Sequence, residues 1–140
     1  MKTLRVLSLI MLAMIFVNNG IRANENANEV QVEVIVFHGV KQCQTCQAIK
    51  KNSQDVVENL FKEPGKGKKV VYKVIDFSKP ENKEIARKYE IAWTSLVLVK
   101  HTPDGKEVVN NLSKFAIENA RTNTDAFKKR LAEDITKLLN

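Results

Sequence analysis

The chain has 140 residues, 28% of them charged, and a formal net charge of +7 at pH 7, which is typical of one globular domain. Its densest basic group, "KGKK" at Lys66–Lys69, lies beside glycines and has no interleaved aromatic residues. We therefore expect a solvated turn there and no nucleic-acid surface.

The first 23 residues have the layout of a secretory signal. Two early basic residues precede an apolar run from Val6 to Val17, and polar residues then lead to Ala23. The run is shorter than the roughly 20 apolar residues that a membrane-spanning helix needs. The pattern predicts a cleaved signal at residues 1–23 and one exported domain at residues 24–140, periplasmic or extracellular. An uncleaved signal would anchor the chain, and we expect no other membrane contact.

The first half of the domain has the pattern of a strand, a helix and a second strand. β-Branched residues alternate along Val30–Phe37, which predicts a strand that becomes apolar on both faces. Apolar residues then fall near helical spacing over residues 46–61, and Pro64 ends the helix. Val70–Phe77 is the second predicted strand. A strand, a crossover helix and a strand favour a parallel pair.

A second helix and a third strand follow. The stretch "SKPENKEIARKYE" predicts a helix with Ser78 as its N-cap and Pro80 in its first turn. Residues 91–100, "IAWTSLVLVK", predict a strand that is apolar on both faces near its end.

The last third of the chain adds a hairpin and a final helix. The turn signal "TPDG" separates the third strand from "KEVVNNL", so these two strands should be antiparallel. Residues 113–121 fit either a loop or a short helix, and an amphipathic helix begins near Thr124. The order β-α-β-α-β-β-α predicts an α/β fold with a central mixed sheet and helices on both faces.

The only cysteines, Cys43 and Cys46, lie at the turn from the first strand into the first helix. Their spacing puts both sulfurs on one helical face within reach of a disulfide, which an exported compartment permits. A helix N-terminus favours the thiolate. By position, Cys43 should be the exposed attacking thiol and Cys46 the more buried resolving thiol.

A Cys-x-x-Cys pair at this place in this element order resembles the thioredoxin fold, over residues 30 to 139. The resemblance implies thiol–disulfide exchange. The motif departs from the usual one, because Gln42 precedes the pair and Gln44-Thr45 separate it. Phe37 stands where thioredoxins have a buried aspartate, and Ser95 aligns with their cis-proline.

Two short stretches, "FHGVKQCQTC" and "WTSLVLV", are similar to a divergent group of exported thioredoxin-like proteins called nitrophilins. These are encoded with arsenic-resistance genes in bacteria. The similarity implies export and makes arsenic a ligand to test.

Three other residue positions are candidates for the site. Without the buried aspartate, His38 at the strand end could act as the base for Cys46, or it could simply be a hydrogen-bonded strand-end residue. Thr94 and Ser95 would place a hydroxyl against Cys43, to bind a substrate peptide or the thiolate, or would only satisfy the strand edge. We expect a trans bond between them, since a cis bond without proline costs about 3–4 kcal/mol. Trp93 could form part of a docking surface, but lone tryptophans are more often core, so we expect it to cap the core.

The sequence therefore predicts a thiol–disulfide oxidoreductase with no cofactor beyond the Cys43–Cys46 disulfide. Its partners would be protein thiols or disulfides or a small thiol-reactive substrate, and a further redox partner would reset the pair. One alternative is a thiol-binding protein for arsenite, copper or zinc, with Cys43, Cys46 and His38 as ligands. Another is a non-catalytic thioredoxin-like scaffold.

Overall fold

The structure is a computed structural model that describes residues 30–62 and 69–140. The predicted signal segment and the predicted helix end at Pro64 lie outside the described residues. Within the described ranges, no helix is both long and apolar enough to cross a membrane.

A four-stranded mixed sheet forms the centre of the domain. The strands are β1 (Val32–His38), β2 (Val70–Asp76), β3 (Ser95–His101) and β4 (Glu107–Asn111). Their order in the sheet is β2-β1-β3-β4. β1 and β2 are parallel, whereas β3 is antiparallel to both β1 and β4. The predicted parallel pair and the predicted hairpin are both present.

Four helices accompany this sheet in the described part of the chain. They are α1 (Gln44–Leu60), α2 (Lys83–Lys88), α3 (Ser113–Asn119) and α4 (Thr124–Leu139), and a 3-10 turn at Pro80–Asn82 leads into α2. The segment that the sequence left open is thus a helix. The third strand starts four residues later than predicted, because residues 91–94 form a loop.

The central strands are buried on both faces, as their apolar sequences predict. On one face Val32, Val34 and Val36 pack with α1, α3 and α4. On the other face Ile35 and Phe37 pack with residues of β3 and with the end of α2. Because side chains alternate along a strand, His38 lies on the same sheet face as α1.

Polar side chains fix the middle of α1 to its surroundings. Asn52 is buried, and its Nδ2 donates to the carbonyl of Ala120 at 2.9 Å. The Tyr72 hydroxyl donates to the carbonyl of Lys50 at 2.8 Å. Burial, followed by the nearby Glu58 charge, raises the pKa of Tyr72 to about 12. These contacts hold α1 against both β2 and the junction between α3 and α4.

Ser78 does not act as a helix cap, contrary to the prediction from sequence. Its backbone N–H and its hydroxyl both donate to Oδ1 of Asp76, at 3.0 and 2.5 Å. Because the Ser78 hydroxyl is bonded to Asp76, it does not cap a helix. Lys79 is the N-cap of the 3-10 turn, and its side chain makes no capping hydrogen bond. Pro80 opens that turn, as predicted.

Charged side chains form a row across the end of the sheet where β1 begins. Nζ of Lys73 is 2.7 Å from Glu33, and Nζ of Lys88 is 2.7 Å from Glu107. His101 lies between them, 3.4 Å from Glu33 and 3.8 Å from Glu107. The hydrogen bond from Lys88 lowers the pKa of Glu107 more than any other contact does. We call these five residues the far-end network, since the cysteines lie at the other end of β1.

Candidate active site

The two cysteines lie where β1 leaves the sheet and α1 begins. Cys43 is the N-cap of α1, with an extended backbone at φ −81° and ψ 167°. Its Sγ accepts a hydrogen bond from the backbone N–H of Cys46 at 3.2 Å. Its carbonyl oxygen accepts the first helical bond, from the N–H of Gln47 at 3.0 Å. The helix therefore directs a backbone donor at the first sulfur.

Cys43 and Cys46 are joined by a disulfide, with their Cα atoms 5.0 Å apart. Cys43 is exposed, whereas only 7% of Cys46 is exposed. This difference arises because Cys46 lies one turn further along α1, on the side that faces the core. An external thiol or disulfide therefore has access to the Cys43 sulfur and much less to that of Cys46.

Of the two predicted hydroxyl residues, the structure brings Thr94 to the disulfide. Its Oγ1 donates to Sγ of Cys46 at 3.5 Å. Ser95 is 3% exposed, and its hydroxyl donates to the carbonyl of Trp93 at 2.9 Å. The hydroxyl of Ser95 is thus occupied by the backbone, and the sulfur contacted by Thr94 is that of Cys46. All peptide bonds in the described ranges are trans.

Two exposed apolar side chains come from the loops on either side of the disulfide. Trp93 is 64% exposed and Val40 is 79% exposed. The prediction that Trp93 caps the core is therefore wrong, because β3 starts only at Ser95 and the preceding loop carries the indole outward. An open depression of about 430 Å³ adjoins Trp93 and extends to Ile117 on α3.

His38 is half-buried at the last position of β1. Its Nδ1 is 2.9 Å from the carbonyl oxygen of Gly39. A carbonyl only accepts hydrogen bonds, so Nδ1 carries a proton and Nε2 is the nitrogen that can gain or lose one. His38 thus has the tautomer that a base acting through Nε2 requires.

Asp76 is a carboxylate at the same sheet edge as His38 that the sequence reasoning missed. It pairs with His38 in the parallel register of β1 and β2. Hydrogen bonds from the hydroxyl and the N–H of Ser78 hold the pKa of Asp76 below its usual range, and the charges of His38 and Lys79 lower it further. The sequence did offer a signal for Asp76, because it lies near the end of the second predicted strand and parallel strands end at the same edge of a sheet.

Each glutamine beside Cys43 is bonded to a cation. Nζ of Lys50 donates to Oε1 of Gln42 at 2.9 Å. Nη1 of Arg121 donates to Oε1 of Gln44 at 3.3 Å. Arg121 follows α3 and lies 77 residues from Gln44 along the chain, so spacing in the sequence gave no sign of this contact.

Residues 30–62 and 69–140 contain no group of three or more histidine, cysteine, aspartate or glutamate side chains placed to hold one metal ion. The three predicted ligands Cys43, Cys46 and His38 are therefore not assembled as a metal site in this disulfide-bonded state. The pair of sulfurs alone is the part of that ligand set which lies together.

Comparison with solved structures identifies the fold. A thioredoxin from Thermus thermophilus is 18% identical, with a TM-score of 0.50 over 76% of this chain and 75% of that one. The Trx4 domain of ERdj5 is 16% identical, with a TM-score of 0.46 over 75% of this chain and 83% of that one. A malarial protein is 18% identical, with a TM-score of 0.40 over 63% and 93%.

No protein-family model matches the chain, and no curated protein matches it. The likeness to the Thermus thermophilus thioredoxin, together with the strand order and the helices on both faces, confirms the predicted thioredoxin-like fold. The molecule thus has a thioredoxin-like fold with a Cys-x-x-Cys disulfide, Cys43–Cys46, at the start of α1.

Proposed function

We propose that this protein is an exported thiol–disulfide oxidoreductase that uses Cys43 and Cys46. The observation that carries the proposal is the disulfide at the N-terminus of α1, with one sulfur exposed and the other buried. A structural bridge is a weaker explanation, because a loop this short constrains little of the unfolded chain. Export is supported by the composition of residues 1–23.

Reduction of a partner begins with the Cys43 thiolate, which attacks one sulfur of the partner's disulfide. A mixed disulfide forms and the other partner sulfur leaves. The Cys46 thiolate then attacks Sγ of Cys43, which restores the internal disulfide and releases the second partner sulfur. Two electrons pass from the protein to the partner, and the reverse sequence oxidises a dithiol.

Neighbouring groups assist each step. The N–H of Cys46 that bonds to Sγ of Cys43 also stabilises a thiolate there, and the helix dipole adds to this effect. The Thr94 hydroxyl does the same for a thiolate at Cys46. His38 is the proposed base for the proton of Cys46, with Nε2 as the accepting atom and an intervening water as the carrier.

The proposed partners are protein thiols or disulfides, or a small thiol-reactive substrate, and a second redox protein that resets the pair. The chemistry needs no cofactor beyond the disulfide.

The deciding experiment is the redox equilibrium of the two cysteines. The purified protein is held in glutathione buffers of varied ratio, and its free thiols are alkylated and counted by mass. A reversible two-electron transition supports the oxidoreductase, and its midpoint gives the favoured direction of electron flow. A pair that stays oxidised in every buffer would identify a structural bridge and contradict the proposal.

Arsenite binding by the reduced pair is the second candidate function. It is favoured by the absence of a proline ring at Ser95, the position that aligns with the cis-proline of thioredoxins, which leaves the sulfurs less shielded. The hydroxyl of the preceding residue, Thr94, lies 3.5 Å from the sulfur of Cys46. The similarity to nitrophilins points the same way. If arsenite at low concentration protects both thiols from alkylation, while copper and zinc do not, this candidate takes first place.

A further inference from the structure

We infer that the exposed sulfur of Cys43 is presented to an acidic peptide segment, one that carries carboxylates beside its reactive cysteine. This inference rests on the proposed function and names the substrate class of the same site.

The two glutamines that flank Cys43 are held by their acceptor atoms. Lysine and arginine only donate, so the atoms of Gln42 and Gln44 that face Lys50 and Arg121 are the amide oxygens. Each glutamine therefore keeps its amide NH2 group for another acceptor. Within the described residues, neither amide nitrogen donates a hydrogen bond to the protein. We call these four side chains the donor rim.

The donor rim is not neutralised by nearby acids of its own segment. From Gly39 to Gln54 the sequence has three lysines and no aspartate or glutamate. No acidic residue lies in the first turn of α1. Residues 39–54 thus offer a partner amide donors and cations but no carboxylate, so carboxylates are the groups that complement this segment. On the segment that carries Arg121, Glu118 lies toward the depression beside Trp93.

Carboxylates occur instead in the depression beside Trp93, which Glu90 and Glu118 line together with Lys114. This side of the site is mixed in charge and carries the exposed indole. The two surfaces suit different parts of one bound segment, with its acidic residues over the donor rim and an apolar residue over Trp93. Contacts with both surfaces favour a peptide over a small disulfide.

The test reaction uses a reporter that is itself uncharged. Each test peptide has one cysteine activated as a 2-thiopyridyl disulfide. The Cys43 thiolate attacks the peptide sulfur, the sulfur–sulfur bond to the pyridine breaks, and 2-thiopyridine leaves and takes up a proton. Cys46 then attacks Sγ of Cys43 and releases the peptide thiol. The protein dithiol is oxidised by two electrons and the activated disulfide is reduced.

The experiment compares three peptides that differ only in two residues beside the cysteine, which are glutamate, glutamine or lysine. The reduced full-length protein is mixed with each under stopped flow at low and high salt. We expect the glutamate peptide to react about tenfold faster than the lysine peptide at low salt, with the difference shrinking as salt screens the charges.

Substitution of the rim should reduce this preference. In Arg121→Gln and in Lys50→Gln we expect the ratio of the glutamate rate to the lysine rate to fall to about threefold. Lys83→Gln is the matched control, because it removes one charge from an exposed position on α2, in the other helical layer. It should keep the full ratio.

The possible results distinguish a failure of the acidic-peptide preference from a failure of the oxidoreductase function. Equal rates for all three peptides, or a faster lysine peptide, would overturn the acidic-segment inference while leaving the oxidoreductase intact. No reaction with the glutamine peptide would overturn both. A preference that Lys83→Gln reduces as much as Arg121→Gln would assign the effect to net charge and contradict a specific rim. A preference seen with charged small disulfides but absent from the peptides would contradict a peptide partner.

Discussion

The cations at the two ends of the sheet have different partners. In the far-end network, Lys73 and Lys88 each meet a carboxylate at 2.7 Å, and His101 lies between the two acids. At the cysteine end, Lys50 and Arg121 bond to neutral amides. Paired charges stabilise the fold and leave little field outside it. Cations on neutral amides keep their charge, which remains available to a partner.

The largest expected effect is that of removing one of the two sulfurs at the cysteine end. Cys43→Ser should abolish reduction of any disulfide, because it removes the exposed nucleophile. Cys46→Ser should stop turnover too, yet it should accumulate a mixed disulfide between Cys43 and the partner, since no second thiol can resolve it. Mass spectrometry of the trapped adduct checks both variants. Turnover by either variant would show that the chemistry lies elsewhere.

The next largest effect is expected at Thr94, because its hydroxyl donates a hydrogen bond to the buried sulfur of Cys46. Thr94→Val keeps the shape of the side chain but loses a hydrogen bond to the Cys46 thiolate, worth about 1.5 kcal/mol. We expect the midpoint potential of the pair to fall by about 30 mV, so that the disulfide becomes harder to reduce, since the reduced form loses stabilisation. The midpoint in glutathione buffers measures this shift.

Thr94→Ser is the matched control, since it retains the hydroxyl and should keep the midpoint of the native protein. Equal midpoints for all three proteins would mean that Thr94 contributes only to the loop.

At the far end, the expected effect is on stability alone. Glu107 accepts hydrogen bonds from Lys88 at 2.7 Å and from the Tyr89 hydroxyl at 3.2 Å. Glu107→Gln should lower the free energy of unfolding by about 1 kcal/mol, with exchange rates unchanged. Arg121→Gln should do the reverse, changing peptide preference with less than about 0.5 kcal/mol of effect on stability. Urea titration of both variants checks this contrast. A stability loss in Arg121→Gln as large as that in Glu107→Gln would contradict it.

Tyr72 gives an effect that is confined to alkaline pH. Its pKa rises from 10.0 to about 12 in the fold, so the folded protein retains the phenol proton where the unfolded chain has lost it. Stability from this group is complete below pH 10 and declines as pH rises toward 12. The urea midpoint of the native protein should therefore fall faster over that interval than the midpoint of Tyr72→Phe. Parallel curves for the two proteins would contradict the shift.

Much of the fold follows from local patterns in the sequence. Alternating valines predict β1, the "TPDG" turn predicts the hairpin, and the apolar spacing after Thr124 predicts α4. The cysteine pair could be located because it follows a strand and opens a helix. These features depend on neighbours a few residues apart, and such spacing is what a sequence displays.

The parts that sequence reasoning missed depend on contacts between distant segments. Arg121 reaches Gln44 only because α3 brings the chain back beside α1. Asp76 becomes relevant only through its register with His38. The outward position of Trp93 and the contact of Thr94, rather than Ser95, with a sulfur both follow from where β3 starts, and element boundaries are poorly fixed by local pattern.

The contact between Arg121 and Gln44 limits how far the site can be transplanted. Residues 42–51, grafted onto another thioredoxin-like scaffold, would carry the cysteines and the Gln42–Lys50 pair in one continuous piece. They would arrive without the guanidinium, which belongs to the end of α3 and is kept in place by the bond from Asn52 to Ala120. The cysteine pair is thus contained in one short segment, whereas the Arg121 contact, on which the inferred choice of partner depends, is a property of the assembled domain.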